Sequence, residues 1–146
     1  MSGEFLGTYE NSMNKNRVII PAPFKKAMKP EAENTVIVTM GYNQSNIAVY
    51  PLDVWNALVD RLSNGNDKQR LLYTLMRENA TTEELEPNNR IKIPSSLLDL
   101  VGITNSVVVK GEGSYISLWN PETLRERQRQ NLEILRTEYS RLDFEL

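Results

Sequence analysis

Arg17-Val18-Ile19-Ile20-Pro21 and Arg90-Ile91-Lys92-Ile93-Pro94 spell one phrase twice, 73 positions apart. An Asn-rich turn precedes each copy, Asn14-Lys15-Asn16 in the first and Pro87-Asn88-Asn89 in the second, and a short amphipathic run follows. The repeated object is therefore a turn, a strand and a helical turn. Two copies of one unit in a single chain can pack as an intramolecular pseudo-dimer, with two related basic turns in place of one enzyme-like cleft.

The repeat extends outward. Val36-Ile37-Val38-Thr39 answers Val107-Val108-Val109-Lys110 at an offset of 71, and Ile47 to Asp53 answers Ile116 to Glu122 at an offset of 69. The offset shortens only in loops, so each half reads as strand, Asn turn, strand, short helix, strand, turn, strand and a longer helix opened by a proline. The expected class is α+β. The expected divisions are a first repeat over 1–52, a linking helical hairpin over 53–80, a second repeat over 81–120 and a C-terminal helix over 121–146.

Composition excludes several classes. The chain has 146 residues, 40% hydrophobic and 25% charged, a size and balance suited to one compact domain or two small lobes with a common core. It has no Cys and no His. Disulfides, thiol nucleophiles, the usual zinc ligands and the commonest general base are thereby removed. Gly-rich phosphate loops, nucleophile elbows and acidic metal loops are absent as well, so neither an enzyme nor a metal, cofactor or small-molecule substrate is expected. No apolar run approaches the ~20 residues of a membrane span. The first residues lack the basic and apolar regions of a secretory signal, which makes the cytoplasm the expected compartment.

Net charge is −2, against an indiscriminate polyanion binder, but the charge is unevenly placed. Residues 11–30 hold Lys15, Arg17, Lys25, Lys26 and Lys29 with no acidic residue, whereas 81–120 hold Glu83, Glu84, Glu86, Asp99 and Glu112 against Arg90, Lys92 and Lys110. A polyanion-facing surface centred on the first repeat is expected, with Glu86 as a local partner for Arg90.

Helical material links the halves. Val54, Trp55, Leu58, Val59 and Leu62 share one helical face, and Leu71, Leu72, Leu75 and Met76 share another after the Ser63-Asn64-Gly65-Asn66 break. From Pro121 to Leu146 the pattern predicts one more helix. Its narrow stripe of Leu124, Leu132, Leu135, Tyr139 and Leu142 can lie on its own lobe or on a neighbouring subunit.

The Arg-apolar-x-apolar-Pro phrase after an Asn/Lys turn resembles the AbrB-type swapped-hairpin, or looped-hinge-helix, DNA-binding unit. It is followed by Ala22-Pro23-Phe24-Lys25-Lys26-Ala27-Met28 in one copy and by Ser95 to Ile103 in the other. Two such units, with Phe5-Leu6-Gly7 at the start and Tyr50-Pro51-Leu52-Asp53-Val54-Trp55 opening the linker, resemble the MraZ family of regulators from about Phe5 to the start of the last helix. The resemblance implies a pseudo-dimeric, barrel-like core and a ring-like homo-oligomer in the cytoplasm and on the nucleoid. It further implies a repressor that binds direct repeats in double-stranded promoter DNA ahead of the division and cell-wall gene cluster. The family turn reads Asp-x-x-x-Arg, with the Arg facing DNA. Here Arg17 and Arg90 match, while Met13 and Glu86 stand where the Asp is expected.

The expected DNA-binding residues are thus Lys15, Asn16 and Arg17 in one turn and Asn88, Asn89, Arg90 and Lys92 in the other. A guanidinium can give two parallel hydrogen bonds to guanine O6 and N7 or to a phosphate, Asn can read adenine, and the lysines suit phosphates. The competing readings are local. The arginines can brace their turns on carbonyls or carboxylates, and Asn suits a left-handed turn for conformational reasons alone. Pro21 and Pro94 end strands and open helices. An antitoxin-like promoter binder of the same fold, or an oligomeric protein-binding scaffold, are the rival functions.

Overall fold

The computed structural model describes residues 1–145. In the first half, β1 (Thr8–Ser12), β2 (Arg17–Ile19), α1 (Ala22–Ala27), β3 (Thr35–Met40) and β4 (Ile47–Pro51) follow in order. Two helices form the linker, α2 (Leu52–Ser63) and α3 (Asp67–Glu78). The second half repeats the order with β5 (Thr81–Glu84), β6 (Arg90–Lys92), α4 (Ser95–Val101), β7 (Ser106–Gly111), β8 (Ile116–Trp119) and α5 (Pro121–Glu138). The protein is therefore α+β, with five α-helices among the described residues.

Prolines and polar caps set the helix boundaries. Pro21, Pro51 and Pro94 each stand immediately before a helix, where a fixed φ and a missing N–H do no harm. Asn66 and Gln69 cap α3 reciprocally, while the Asn120 side chain accepts from Glu122 N–H at 2.8 Å to start α5. Gly102, at φ 71°, supplies the left-handed residue that ends α4.

Six strands make one antiparallel sheet in the order β1-β7-β8-β4-β3-β5, and β2 with β6 makes a separate two-stranded ribbon. The order is palindromic for the two halves. Each half's own hairpin, β3–β4 or β7–β8, receives its outer neighbour from the other half: β1 pairs with β7, and β5 with β3. Because β4 pairs with β8 at the centre, the halves form one sheet rather than two lobes.

Alternation along the strands then divides the side chains between two layers. Val36, Val38, Ile47, Val49, Val107, Val109, Ile116 and Leu118 face the ribbon and the two short helices, where Val18, Ile20, Phe24, Ile91, Ile93, Leu97 and Leu98 complete one buried cluster. Both halves contribute to it. On the opposite face of the sheet, Ile37, Ala48 and Tyr50 are covered by Val54 and Leu62 of α2 and Met76 of α3. The corresponding patch of the second half, Val108 and Trp119, meets Leu124 at the start of α5, and the Arg127 guanidinium of the same helix lies over the Trp119 ring at 5.7 Å.

The last helix is shorter than its pattern predicts. It ends at Glu138, Tyr139 is extended, and Ser140 and Asp143 cap a separate 3-10 turn over Arg141–Phe144. A capping pair offers the backbone a fresh start and competes with continuing the helix. Leu146 lies outside the described residues. Beyond Leu124 the apolar side chains of this segment, Leu132, Ile134, Leu135, Tyr139, Leu142 and Phe144, are all exposed.

Candidate nucleic-acid interface

In the ribbon, Arg17 lies opposite Lys92, Val18 opposite Ile91 and Ile19 opposite Arg90. Directly opposed residues of an antiparallel pair share a face. Val18 and Ile91 are wholly buried, so Arg17, Ile19, Arg90 and Lys92 form the outer face. The two candidate turns are stitched to this ribbon crosswise: Ile93 N–H donates to the Asn16 carbonyl and Ile20 N–H to the Asn89 carbonyl, both at 2.8 Å. All seven candidate residues are thus gathered on one ribbon and its turns, with Lys15, Asn16, Asn88 and Lys92 exposed and Asn89, Arg17 and Arg90 half-buried.

The turns themselves differ. Asn14 and Arg17 exchange backbone hydrogen bonds of 3.0 and 3.3 Å around Lys15 and Asn16, both left-handed at φ 51° and 64°. Two such residues make the type I′ hairpin turn that suits strand twist. The second turn holds three residues, Pro87-Asn88-Asn89, closed by Glu86 N–H donating to the Arg90 carbonyl at 2.7 Å, with Asn88 and Asn89 left-handed. The asparagines meet a backbone requirement as well as presenting amides.

The extra residue changes the correspondence between the halves. Tyr9 faces Val109 and Thr81 faces Val38, so Tyr9 and Thr81 are equivalent and the offset ahead of the turns is 72, not 73. Met13 N–H donates to the Asn105 carbonyl at 2.9 Å as Leu85 N–H does to that of Asn34 at 3.0 Å. Met13 is therefore the counterpart of Leu85, and both pack on the core. The counterpart of Glu86 is Asn14. Met13, at the acid position of the Asp-x-x-x-Arg spacing, is thus not the structural counterpart of Glu86, because the two turns differ by one residue in length.

That position governs the charges. Glu86 does not pair with the nearby Arg90 as the sequence predicts; it reaches across to the other half and takes Arg17 in a fork, Nε to Oε1 at 2.8 Å and Nη2 to Oε2 at 3.2 Å. Arg17 Nη1 also donates to the Lys15 carbonyl at 3.3 Å. The hydrogen bond to Glu86, then its charge, with Glu83 adding to them against desolvation, holds the Arg17 guanidinium above its ordinary pKa. Arg90 has no such partner. Its Nε is buried without an acceptor, and no ion pair or side-chain hydrogen bond engages it among the described residues. Lys25, expected on a polyanion-facing surface, instead donates to the Asn34 side chain at 2.8 Å. The residue that sequence reasoning missed is Asn14, whose only signal is its place one residue before Lys15.

Among the described residues no cluster of three His, Cys, Asp or Glu side chains could hold a metal ion, and no helix is long and apolar enough to cross a membrane. No protein-family profile matches the chain. A curated relative, the transcriptional regulator MraZ of Herpetosiphon aurantiacus, is 36% identical over 122 residues, spanning 81% of this chain and 82% of its own. The chain belongs to the MraZ family. Other MraZ relatives include those of Chlorobium luteolum, 30% identical over 133 residues with 84% of this chain and 87% of its own covered, and of Bacteroides fragilis, 30% over 123 residues with 81% and 78% covered. These MraZ proteins are named as transcriptional regulators and not as enzymes, in keeping with the reading of the sequence.

Proposed function

We propose that the chain is a sequence-specific DNA-binding regulator, a repressor of the division and cell-wall gene cluster, that binds promoter direct repeats as a ring-like homo-oligomer. The observation that carries this reading is the ribbon: one short β-pair brings Arg17, Arg90 and Lys92 from both halves onto a single outer face. A two-stranded ribbon fits the major groove, where arginines can meet guanine edges and lysines and turn amides the phosphates. The exchange of β1 and β5 between the halves supports reading the fold as tandem AbrB-like swapped hairpins around a barrel-like core. On that reading 1–52 and 81–120 are the repeats, with a helical linker at 53–80 and an appended helix at 121–146.

The few basic residues of this face and a net charge of −2 make one subunit a weak binder at physiological salt, so several subunits would have to meet several DNA repeats in register. The second half suggests how subunits join. In the first half α3 packs beside α2; among the described residues no second helix packs beside α5, and Leu132 and Leu135 further along it are exposed. A neighbour's helix there would make a heterologous contact, which closes into a ring if its rotation allows. Cytoplasmic and nucleoid-associated residence goes with this function.

The test is a titration against the duplex that the protein enriches from a random-sequence library, at several salt concentrations, with light scattering in parallel. Salt-dependent binding by a multimer is expected. A stable multimer that enriches no duplex and shifts none at low salt would favour the protein-binding scaffold instead.

A further inference from the structure

The two turns carry the same arginine in different electrostatic surroundings. Glu86 presents both carboxylate oxygens to Arg17, occupying Nε and Nη2, one of the N–H pairs that a guanine edge or a phosphate would use. Any bidentate contact from that edge of Arg17 to DNA must first break the fork and leave Glu86 as an unpaired negative charge at the interface. Arg90 has no fork to break, because Asn14 stands where a second Glu86 would be. Its Nε is withdrawn from solvent, which leaves the two terminal nitrogens for an external acceptor. Lys92, two residues along on the same outer face, likewise has no ion pair among the described residues.

We propose that the pseudo-symmetric arginines have divided their roles: Arg90 is the guanidinium that meets DNA, Arg17 is a positioning residue that neutralises Glu86 and braces the ribbon, and Asn14 is the specificity-determining residue that keeps Arg90 free. This rests on the DNA-binding reading above and adds which half makes the charged contact. It also reverses the expectation from composition, under which the first repeat supplies the contact and the second only positions it. Asn14 has a second consequence. A carboxylate at position 14 would stand where Glu86 stands in the other half, give the unpaired Arg90 an acceptor, and put a negative charge at the interface. Stability and DNA affinity should then move in opposite directions.

The experiment measures affinity and its salt dependence, on the duplex enriched by the wild-type protein, for Arg90→Ala, Arg17→Ala, Arg17→Ala/Glu86→Gln and Asn14→Glu, with thermal unfolding of each. Arg90→Ala should weaken binding roughly ten- to a hundredfold and lower the log–log salt slope by about 0.9 for each phosphate contact it makes. Arg17→Ala should weaken binding as well, since it uncovers Glu86, but the Arg17→Ala/Glu86→Gln double variant should return to within about threefold of wild type. Asn14→Glu should raise the unfolding temperature and lower affinity about tenfold. A double variant as weak as Arg90→Ala, in folded protein, would show that Arg17 itself touches DNA and would overturn the division of roles alone. Wild-type protein that binds no duplex would remove the DNA-binding reading, and this inference with it. Should a single-arginine variant unfold, Asn14→Glu decides: unchanged affinity in a folded protein overturns the proposal.

Discussion

The first turn closes in two residues and the second in three, and the residue that opens the turn is Asn14 in one half and the carboxylate Glu86 in the other. From there Glu86 crosses the ribbon to Arg17, while Arg90 has its Nε buried without an acceptor and the uncharged Asn14 holds the position equivalent to Glu86. A second contrast lies behind the sheet. The outer patch of the first half is sealed by α2 and α3, whereas that of the second half is met by a single buried turn of α5. The two halves thus agree in the ribbon crossing and the shared inner core, and differ at the turn carboxylate and behind the sheet.

The largest effect should come from testing what the halves share. Val18 and Ile91 face each other at the middle of the ribbon with no exposure. Ile91→Ala should cost about 2–5 kcal/mol and Val18→Ala somewhat less, in a single denaturant transition for each. A biphasic transition, in which one half melts alone, would break the picture of a common core.

Next is the contrast behind the sheet. Met76 is buried under the first half, so Met76→Ala should cost about 2–5 kcal/mol, while exposed Leu132→Ala should change the subunit's own stability by no more than about 0.5 kcal/mol. Light scattering separates the two further, since only Leu132→Ala should shift the protein toward smaller assemblies.

Alkali should find the halves unequal too. Tyr50 and Trp119 occupy equivalent positions, and only Tyr50 can ionise. Burial, then the neighbouring Tyr115 stacked at 4.7 Å, raises the Tyr50 pKa well above its ordinary value. A folded-state pKa raised in this way favours the neutral phenol, so the stabilisation is complete below the unfolded value of about 10 and is lost progressively as pH rises beyond it. Unfolding followed across that range should show falling stability in the wild type and a flatter profile in Tyr50→Phe.

A smaller effect is expected at the acid end. The hydrogen bond from Arg129 lowers the Glu126 pKa below 4.5, so its contribution is present above that value and fades as pH falls through the lowered one. Glu126→Gln should barely alter the unfolding temperature at neutral pH, because the pair lies on the exposed part of α5 where solvent screens it.

Most of the fold can be read from the residues because the signals are local and doubled. Arg-apolar-x-apolar-Pro fixes both ribbon strands, prolines mark four helix starts, and the apolar runs Val36–Thr39 and Val107–Lys110 mark β3 and β7. Which strand pairs with which is a different matter. The crossing of β1 to β7 and β5 to β3 joins residues distant in sequence, and no local pattern distinguishes it from each hairpin closing on itself. The candidate site is legible in its residues but not in its charges. Lys15, Arg17, Arg90 and Lys92 announce themselves by type and spacing; that Glu86 serves the distant arginine follows only from the three-dimensional crossing of the ribbon. The end of α5 was hidden for a similar reason, since the apolar spacing continues past Glu138 while the Ser140–Asp143 capping pair interrupts the helix.

The inequality of the two arginines can be observed directly in the side-chain Nε–H spectrum of isotope-labelled protein during titration with the enriched duplex. In free protein the Arg17 signal should be slowed in exchange by its Glu86 hydrogen bond. On adding DNA, the Arg90 side-chain signals should shift while that of Arg17 holds its position and its slow exchange. Loss of the Arg17 signal from its Glu86-bonded position, with Arg90 unmoved, would contradict the division of the two turns.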